Sequence, residues 1–218
     1  MTTGVDTRAL ETRVKRMYEL VATEPGAGFH FELGREDAVR AGYDPAVLDA
    51  VPAPAVESFA GVGYLFDLAA LAPGETVVDL GSGWGMDAFC AAALTGPSGH
   101  VIGVDFTPAQ PAKARRLAAE SGATTLEFVD EHIEHLPLAD GSADCVISNG
   151  VINLCPDKEA VFAEAARVLR PAVADIVSEP PLPESVVGNA AAPRDRYRDA
   201  GASYGVRSVS VLATKPRR

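Results

Sequence analysis

A short apolar stretch that runs into three closely spaced glycines constrains the fold of this chain more than any other feature. Residues 76–80 (TVVDL) are typical of a buried strand, residues 81–85 read Gly-Ser-Gly-Trp-Gly, and a helical pattern follows from Met86 to Leu94. Glycine permits a tight turn and, because it has no Cβ, lets a ligand approach the main chain. The order strand, glycine turn, helix predicts a nucleotide-type site, and a turn with no ligand is the alternative.

The spacing of the glycines distinguishes between cofactor classes. Dinucleotide-binding folds carry Gly-x-Gly-x-x-Gly, with the third glycine where Met86 stands, whereas this chain has Gly-x-Gly-x-Gly preceded by Asp79. A second strand-like run ends in Asp105, which lies 24 positions after Gly81. An acidic residue at the end of the second strand is where such folds hold ribose hydroxyls, because a carboxylate accepts both hydrogen bonds of a vicinal diol. The alternative is that Asp105 only begins the next turn.

Composition narrows the classes of function. The 218 residues suffice for one substantial α/β domain with an appendage. Because the net charge is −11 and the 19 basic residues are scattered, we expect no nucleic-acid partner. No apolar run of 18 residues and no secretory signal is present, so we expect no membrane association and a cytoplasmic protein. The three cysteines, Cys90, Cys145 and Cys155, lack metal-ligand spacing, and no metal site is predicted.

The periodicity beyond residue 76 predicts strands alternating with helices. Such alternation indicates an α/β, doubly wound and mostly parallel sheet of the Rossmann-like kind, with helices on both faces. The predicted segments after the first glycine turn are a strand at 100–107, a helix at 108–121, strands at 125–129 and 144–148, a helix at 158–170, and strands at 172–177 and 208–214.

The chain divides near residue 72. Residues 1–72 carry helical signals, beginning with a helix over 6–22, and predict a helical N-terminal appendage or lid. Residues 73–218 form the predicted cofactor-binding core. Because only one strand clearly fits after residue 178, we expect the C-terminal part of this core to be shortened.

The core resembles a class I methyltransferase that depends on S-adenosylmethionine (SAM), and more closely the arsenite methyltransferase group. The resemblance covers roughly residues 55–178. The residues that carry it are 79–86, 103–105, Thr107, Pro108, Gln110, Ile133, Glu134, Leu136, Pro137, Asp140, 148–154, 156–158 and 168–171.

The resemblance implies SAM as the cofactor and S-adenosylhomocysteine (SAH) as its product. In this interpretation Asp105 holds the ribose, Phe106 and Ile133 lie beside the adenine, and Asn149 faces the methyl group. His132 replaces an aspartate common in the wider superfamily, which leaves the contact to the adenine amino group open. The cofactor-binding positions implied are Asp79, Gly81, Ser82, Gly83, Gly85, Met86, Asp105, Phe106, Ile133, Glu134 and Asn149.

The methyl acceptor stays open from sequence. We expect a small-molecule acceptor and a monomer or homodimer, and no catalytic residue is assigned. If the acceptor is an oxygen or a neutral nitrogen, His30, His132 and His135 are candidate bases. A SAM-binding protein without catalysis and a true arsenite methyltransferase are the alternatives. The acceptor-side candidates are Tyr18, Tyr64, Asn149, Asn153 and Cys155.

The resemblance also implies where arsenic-binding thiolates would stand. One such cysteine falls at Gly150, another near Val62, and a further one in a C-terminal segment missing from this chain. Trivalent arsenic is a soft centre that prefers soft thiolate ligands, and only Cys155 lies near the site. We therefore expect little or no arsenite methylation, and a hydrophobic or aromatic small molecule as acceptor.

Overall fold

The computed structural model describes residues 12–17, 19–20 and 34–170, together with the backbone of residues 175–178 and 210–214. The helical elements are α1 (residues 12–17 and 19–20), α2 (Arg35–Ala41), α3 (Pro45–Asp49), α4 (Ala53–Glu57), α5 (Phe66–Ala69), α6 (Met86–Thr95), α7 (Ala109–Ser121), a 3-10 turn (Ile152–Leu154) and α8 (Lys158–Val168). The strands are β1 (Thr76–Leu80), β2 (His100–Asp105), β3 (Leu126–Asp130), β4 (Cys145–Asn149), β5 (Asp175–Ser178) and β6 (Ser210–Thr214).

The strands form one sheet in the order β3-β2-β1-β4-β6-β5. The first four are mutually parallel, and β6 pairs antiparallel with both β4 and β5. Leu80 at the end of β1 is level with Val104 of β2 and with Ser148 of β4. The residues that follow these three positions therefore meet at one edge of the sheet. The predicted α/β, mostly parallel fold is confirmed.

Both faces of the parallel strands are covered, as their near-continuous Val and Ile runs predict. Val77 of β1 packs on one face with Phe89 of α6, whereas its neighbour Val78 packs on the other face with Val161 of α8. The alternation follows from the period of two along a strand. Helices on both sides thus hold the carboxyl edge of the sheet in a fixed frame.

Residues 34–69 pack on the first of these faces. Tyr43, Phe59 and Phe66 are buried in the same hydrophobic cluster as Val77 of the sheet. Asp44 caps α3 by accepting a hydrogen bond from the Ala46 amide at 2.8 Å. The division into an appendage over residues 1–72 and a core over 73–218 stays a prediction, although the apolar contacts cross it.

The helix predicted to run through Arg170 ends two residues earlier. Leu169 is extended (φ −69°, ψ 137°) and forms an isolated parallel bridge with Ala143, and the Arg170 amide donates to the Ala143 carbonyl at 2.9 Å. Pro171 disfavours a helical conformation of the residue before it. Of the predicted N-terminal helix, residues 12–17 and 19–20 are helical, and the rest lies outside the described residues. Within the described part of the chain, no helix is long and apolar enough to cross a membrane.

Candidate functional site

A cleft opens at the carboxyl edge of the parallel strands. It holds about 1100 Å³ of empty space, counting its open mouth, which is enough for a small molecule the size of a nucleoside. Its walls come from α1, the segment before Val62, the turn after β1, the ends of β2 and β4, and the segment after β3. The lining residues are Val14, Ser58, Phe59, Ala60, Gly61, Asp79, Gly81, Ser82, Gly83, Trp84, Met86, Asp87, Asp105, Phe106, Gln110, His132, Ile133, Glu134, Asn149, Gly150, Val151, Leu154, Cys155 and Pro156.

The turn after β1, residues 81–85, is called the glycine loop here. A Cβ on Gly81 would lie 2.6 Å from the Val151 side chain, and one on Gly85 would lie 2.6 Å from the Phe128 ring. Packing alone therefore requires glycine at these two positions. At Gly83 the nearest atom would be Gln110 Oε1 at 3.9 Å, so this glycine borders open space in the cleft. Gly83 is the position where the main chain is accessible to a ligand, whereas Gly85 does not line the cleft.

Asp105 at the end of β2 fixes the glycine loop. Its Oδ2 accepts a hydrogen bond from the Gly83 amide at 3.1 Å, and its Oδ1 accepts one from the Thr107 amide at 2.9 Å. Burial raises the pKa of Asp105 to about 6, against the lowering effect of these two amides. A carboxylate has about four lone-pair sites, so both oxygens can accept further bonds from a ligand. The residue assigned to the ribose from sequence is thus also a structural clamp on the loop.

Two rings form the wall beside Asp105. The centroids of Phe106 and His132 are 5.3 Å apart with an interplanar angle of 47°. Lys15 of α1 places its Nζ 5.8 Å from the Phe106 centroid. Ile133 is buried next to these rings, and Glu134 also lines the cleft. The arrangement offers a flat, partly apolar surface where the resemblance implies the adenine.

Arg167 of α8 holds the segment that carries this wall. Its guanidinium donates to the Leu136 carbonyl at 2.9 Å and to the Leu138 carbonyl at 2.8 Å. Glu164, which pairs with Arg167 through both carboxylate oxygens, accepts from the Leu136 amide at 2.7 Å. The bonds from Arg167 lower the pKa of Glu164 to about 2. The sequence did not predict that Arg167 and Glu164 hold this segment, because an Arg–Glu pair one turn apart is common on helix surfaces.

Two buried carboxylates lie beneath the glycine loop. Asp87 at the start of α6 accepts a hydrogen bond from the Tyr43 hydroxyl and a second one, at 3.0 Å, from Asn149 Nδ2. Burial raises the pKa of Asp87 to about 6, in spite of these bonds. Asp79 is only 2% exposed, and its Oδ2 has no hydrogen-bond partner among the described residues. Burial, followed by the charges of Asp87 and Asp105, raises the pKa of Asp79 well above its ordinary value.

The sequence interpretation missed Asp87 and Trp84 as residues of the cleft. A single charge at the start of the apolar helix that begins at Met86 was the available signal for Asp87, because an acid in such a run needs buried partners. Trp84 is 4% exposed, and Lys113 places its Nζ 4.3 Å from the centroid of its ring. The variable position between two glycines gave no indication of this burial.

Asn149 at the end of β4 connects the core to residues 58–63, which we call the cap loop. Its Oδ1 accepts from the Val62 amide at 2.8 Å, and its Nδ2 donates to the Gly63 carbonyl at 3.0 Å. A Cβ on Gly61 would lie 2.6 Å from Asn149 Nδ2, so the loop approaches this side chain as only glycine permits. Asn149 lines the cleft, but its amide is occupied by the cap loop and by Asp87.

The acceptor-side candidates divide between the cleft and its surroundings. Asn149 and Cys155 line the cleft, whereas Tyr64 and Asn153 do not. Tyr64 instead packs edge-on against the Tyr43 ring, with centroids 4.9 Å apart. Tyr18 lies outside the described residues. Of the histidines, His132 lines the cleft, His135 is exposed outside it, and His30 also lies outside the described residues.

The thiols of this chain do not converge. All three are buried, and burial raises the pKa of Cys155 and of Cys145 to about 12 each. In the described part of the chain, no group of three or more His, Cys, Asp or Glu side chains is placed to hold a metal ion. The two positions implied for arsenic-binding cysteines do lie together: a Cβ on Gly150 would be 3.4 Å from Val62 Cγ1.

Comparison with known proteins gives a consistent result. The family described as methyltransferase domain matches residues 71–200. An arsenite methyltransferase of Halobacterium salinarum is 48% identical over 151 residues, which cover 67% of this chain and 38% of that protein. An arsenite methyltransferase of Aquipseudomonas alcaligenes is 47% identical over 109 residues, or 47% of this chain and 32% of that protein. The matches thus span less than half the length of these two relatives.

A solved structure extends the likeness to three dimensions. An arsenic(III) S-adenosylmethionine methyltransferase from Chlamydomonas reinhardtii has a TM-score of 0.55 and 32% identity. The alignment covers 79% of this chain and 73% of that one.

Proposed function

Since this chain belongs to the methyltransferase domain family, and its fold is that of the class I SAM-dependent methyltransferases, we propose that it transfers the SAM methyl group to a small-molecule acceptor other than arsenite. The observation that carries the proposal is the proximity of Val62 to Gly150, where an added Cβ would lie 3.4 Å from Val62 Cγ1. It supports a retained acceptor site from which the thiol ligands for arsenic are absent. The family, the fold and SAM as cofactor are the premises, and the acceptor and the activity of this chain are what is proposed.

The residues of the cleft fit SAM. Gly83 leaves room for a ligand against the main chain, Asp105 has lone pairs available for a ribose, and Phe106 with His132 offers a ring surface. Asp79 has an unpartnered buried oxygen, which suits a cationic ligand. We propose that Asp79, Gly81, Ser82, Gly83, Met86, Asp105, Phe106, Ile133 and Glu134 hold the cofactor, with Gly85 and Asn149 acting through the shape of the two loops.

When bound, SAM supplies a methyl group on a positively charged sulfur, which is electrophilic without further activation. The contribution of this chain is therefore positioning and the exclusion of water. Asn149 holds the cap loop over the cleft, and Val151, Leu154 and the Phe59 ring give the cleft apolar walls. Such walls favour a hydrophobic or aromatic acceptor.

Arsenite is disfavoured by the state of the thiols. Trivalent arsenic is a soft centre, and its capture needs several thiolate ligands. A thiol must be deprotonated before it can serve as such a ligand. Cys155 is the thiol that lines the cleft, and burial raises its pKa to about 12, so it is protonated at neutral pH. A single protonated thiol is a poor substitute for a converging set.

Cofactor class is tested by calorimetry with SAM, SAH and NAD. We expect binding of SAM and SAH and none of NAD, because Met86 stands where the dinucleotide motif has its third glycine. Measurable affinity for NAD, with none for the other two, would overturn the cofactor assignment.

The acceptor is tested by methyl transfer from labelled SAM. One reaction contains arsenite with glutathione, another a panel of phenols and other aromatic small molecules, and each is repeated with Cys155→Ser. We expect transfer to an aromatic acceptor and no methylated arsenic. Robust arsenite turnover that survives Cys155→Ser would refute the thiol argument, and SAM binding without transfer to any acceptor would favour a non-catalytic SAM-binding protein.

A further inference from the structure

The charges that line the cleft are all of one sign. Four carboxylates belong to it, Asp79, Asp87, Asp105 and Glu134, and no lysine or arginine is among the described residues that line it. Lys15 and Lys113 lie over aromatic rings and are not part of the lining. A cleft with this lining attracts cations and disfavours additional negative charge.

Asp79 is the least compensated of the four. Both oxygens of Asp87 accept hydrogen bonds from side chains, and Asp105 accepts two from backbone amides. Asp79 accepts a hydrogen bond from the Ala88 amide, while its Oδ2 is buried without a partner among the described residues. Its position at the end of β1 places it beside the glycine loop.

In the part of the chain that the structure describes, the groups that face Asp79 and Asp87 supply no positive charge. They are Tyr43 from the segment between α2 and α3, Cys90 from α6, Asp105 from β2 and Asn149 from β4. The Tyr43 hydroxyl and the Cys90 thiol are neutral, and burial raises the pKa of each further. Two buried carboxylates without a cation cannot both stay ionised at low cost, so the pair retains a proton.

We propose that Asp79 and Asp87 form a charge-sensing pair: binding of a cationic ligand in the cleft expels the proton held by the pair, and the cleft thereby prefers the sulfonium cofactor to its uncharged-sulfur product. The inference rests on the proposed function. SAM and SAH differ by one methyl group and one positive charge, so the pair discriminates by charge and not by shape. The proton passes to solvent, and the bound charge replaces it near the carboxylates.

This pair would make the departure of the product easier after transfer. Loss of the positive charge raises the affinity of the pair for a proton, and reprotonation removes the attraction that held the ligand. Asp79 and Asp87 thus determine specificity for the charge of the cofactor and take no part in the reaction of the acceptor.

The primary test is calorimetry of the wild-type chain with SAM and with SAH, at pH 7, in two buffers of different ionisation enthalpy. The difference between buffers counts the protons released on binding. We expect about 0.5–1 proton for SAM and less than about half that number for SAH. Between pH 6 and pH 8, SAM should bind more tightly by up to about tenfold per pH unit, with a shallower dependence for SAH.

The variant Asp79→Asn sharpens the test. It replaces the unpartnered oxygen with a neutral group of the same shape and mimics the protonated state. We expect less than about half of the wild-type proton release with SAM, and at pH 8 about tenfold weaker SAM binding but less than about threefold weaker SAH binding. Glu159→Gln is the matched control, because Glu159 is exposed, lies outside the cleft lining, carries the same charge and is not among the groups that shift the pKa of the acids in the cleft; it should behave as wild type.

The outcomes separate this inference from the proposed function. Equal proton release for SAM and SAH, or undiminished release in Asp79→Asn, would overturn the charge-sensing pair and leave SAM binding intact. If the wild-type chain binds neither ligand, both proposals are wrong. The wild-type comparison decides the question without reference to any variant.

Discussion

Two glycine-containing loops border the cleft, and the structure holds them in different ways. In the glycine loop, the amides of Gly81 and Ser82 donate to the Val104 carbonyl at 2.8 and 3.0 Å, and the Gly83 amide donates to Asp105. The cap loop depends on the Asn149 side chain, which bonds to the Val62 amide 87 positions away in sequence. The glycine loop is thus fixed by its neighbouring strand. In the cap loop, the Gly34 amide donates to the Phe59 carbonyl at 3.0 Å, and Val62 and Gly63 are held by the Asn149 side chain.

This difference suggests a division of labour. A loop anchored by several bonds to a parallel sheet keeps a constant shape, which suits a cofactor used in every turnover. A loop anchored mainly by one side chain opens at a lower free-energy cost. We expect the acceptor to enter past the cap loop, while the glycine loop stays fixed.

The largest effect is expected within the glycine loop itself. Gly81→Ala should destabilise the fold by about 3–5 kcal/mol, because φ is +75° and the new Cβ would clash with Val151. Gly83→Ala shares the left-handed backbone (φ +54°) but meets no close atom, so about 1–2 kcal/mol is expected. Chemical denaturation measures both. Equal losses would mean that strain, and not packing, decides the fixed shape of this loop.

Because of the acids beneath the glycine loop, we expect the free energy of unfolding to change with pH by about 3 kcal/mol. Burial raises the pKa of Asp87 and of Asp105 to about 6, so the folded state binds more protons than the unfolded one. The folded protein should therefore lose about 3 kcal/mol of stability between pH 5 and pH 7, because the contribution of the two acids is complete only below about pH 4 and disappears above their folded pKa of about 6. Denaturant midpoints across this range give the slope. Asp79→Asn should reduce the slope and Glu159→Gln should not; stability that rises from pH 5 to pH 7 would contradict the assignment.

Asp105→Ala tests the link between the glycine loop and the cofactor. We expect SAM to bind about 1.5–3 kcal/mol more weakly, because a buried acceptor of charge-assisted hydrogen bonds is lost. Calorimetry with SAM measures the change, and circular dichroism confirms that the variant is folded. An unchanged dissociation constant in a folded variant would reduce Asp105 to its role as a clamp on the Gly83 amide.

Asn149→Ala tests the cap loop. Loss of the Asn149 side-chain amide should cost about 1–2 kcal/mol of stability and should speed hydrogen exchange at the Val62 amide. SAM affinity should change less than turnover, because the cofactor side keeps its own anchors. Asn153→Ala is the control, since Asn153 lies in the 3-10 turn outside the cleft lining. Equal effects of the two variants on Val62 exchange would show that the cap loop has other anchors.

Sequence patterns identified the parts of the site whose cause is local. The buried strands, the glycine turn and the acid at the end of β2 each follow from a short run of residues, and in the structure Asp105 accepts a hydrogen bond from the Gly83 amide. Asp87, Trp84 and Arg167 were not identified. Their roles depend on partners such as Tyr43, which is 44 positions from Asp87, and no local pattern encodes a partner at that distance.

The sequence by itself determined the α/β fold, because strand periodicity is local, and its resemblance to class I methyltransferases indicated SAM as the cofactor. The tertiary structure alone decided which glycines of the glycine loop serve packing and which one borders open space in the cleft. It also decided that the side-chain amide of Asn149 bonds to the cap loop. It further decided that Asp79 and Asp87 share one cleft, whose described lining contains no lysine or arginine. Burial and long-range contacts set these properties, because the cost of a buried charge depends on what surrounds it in space.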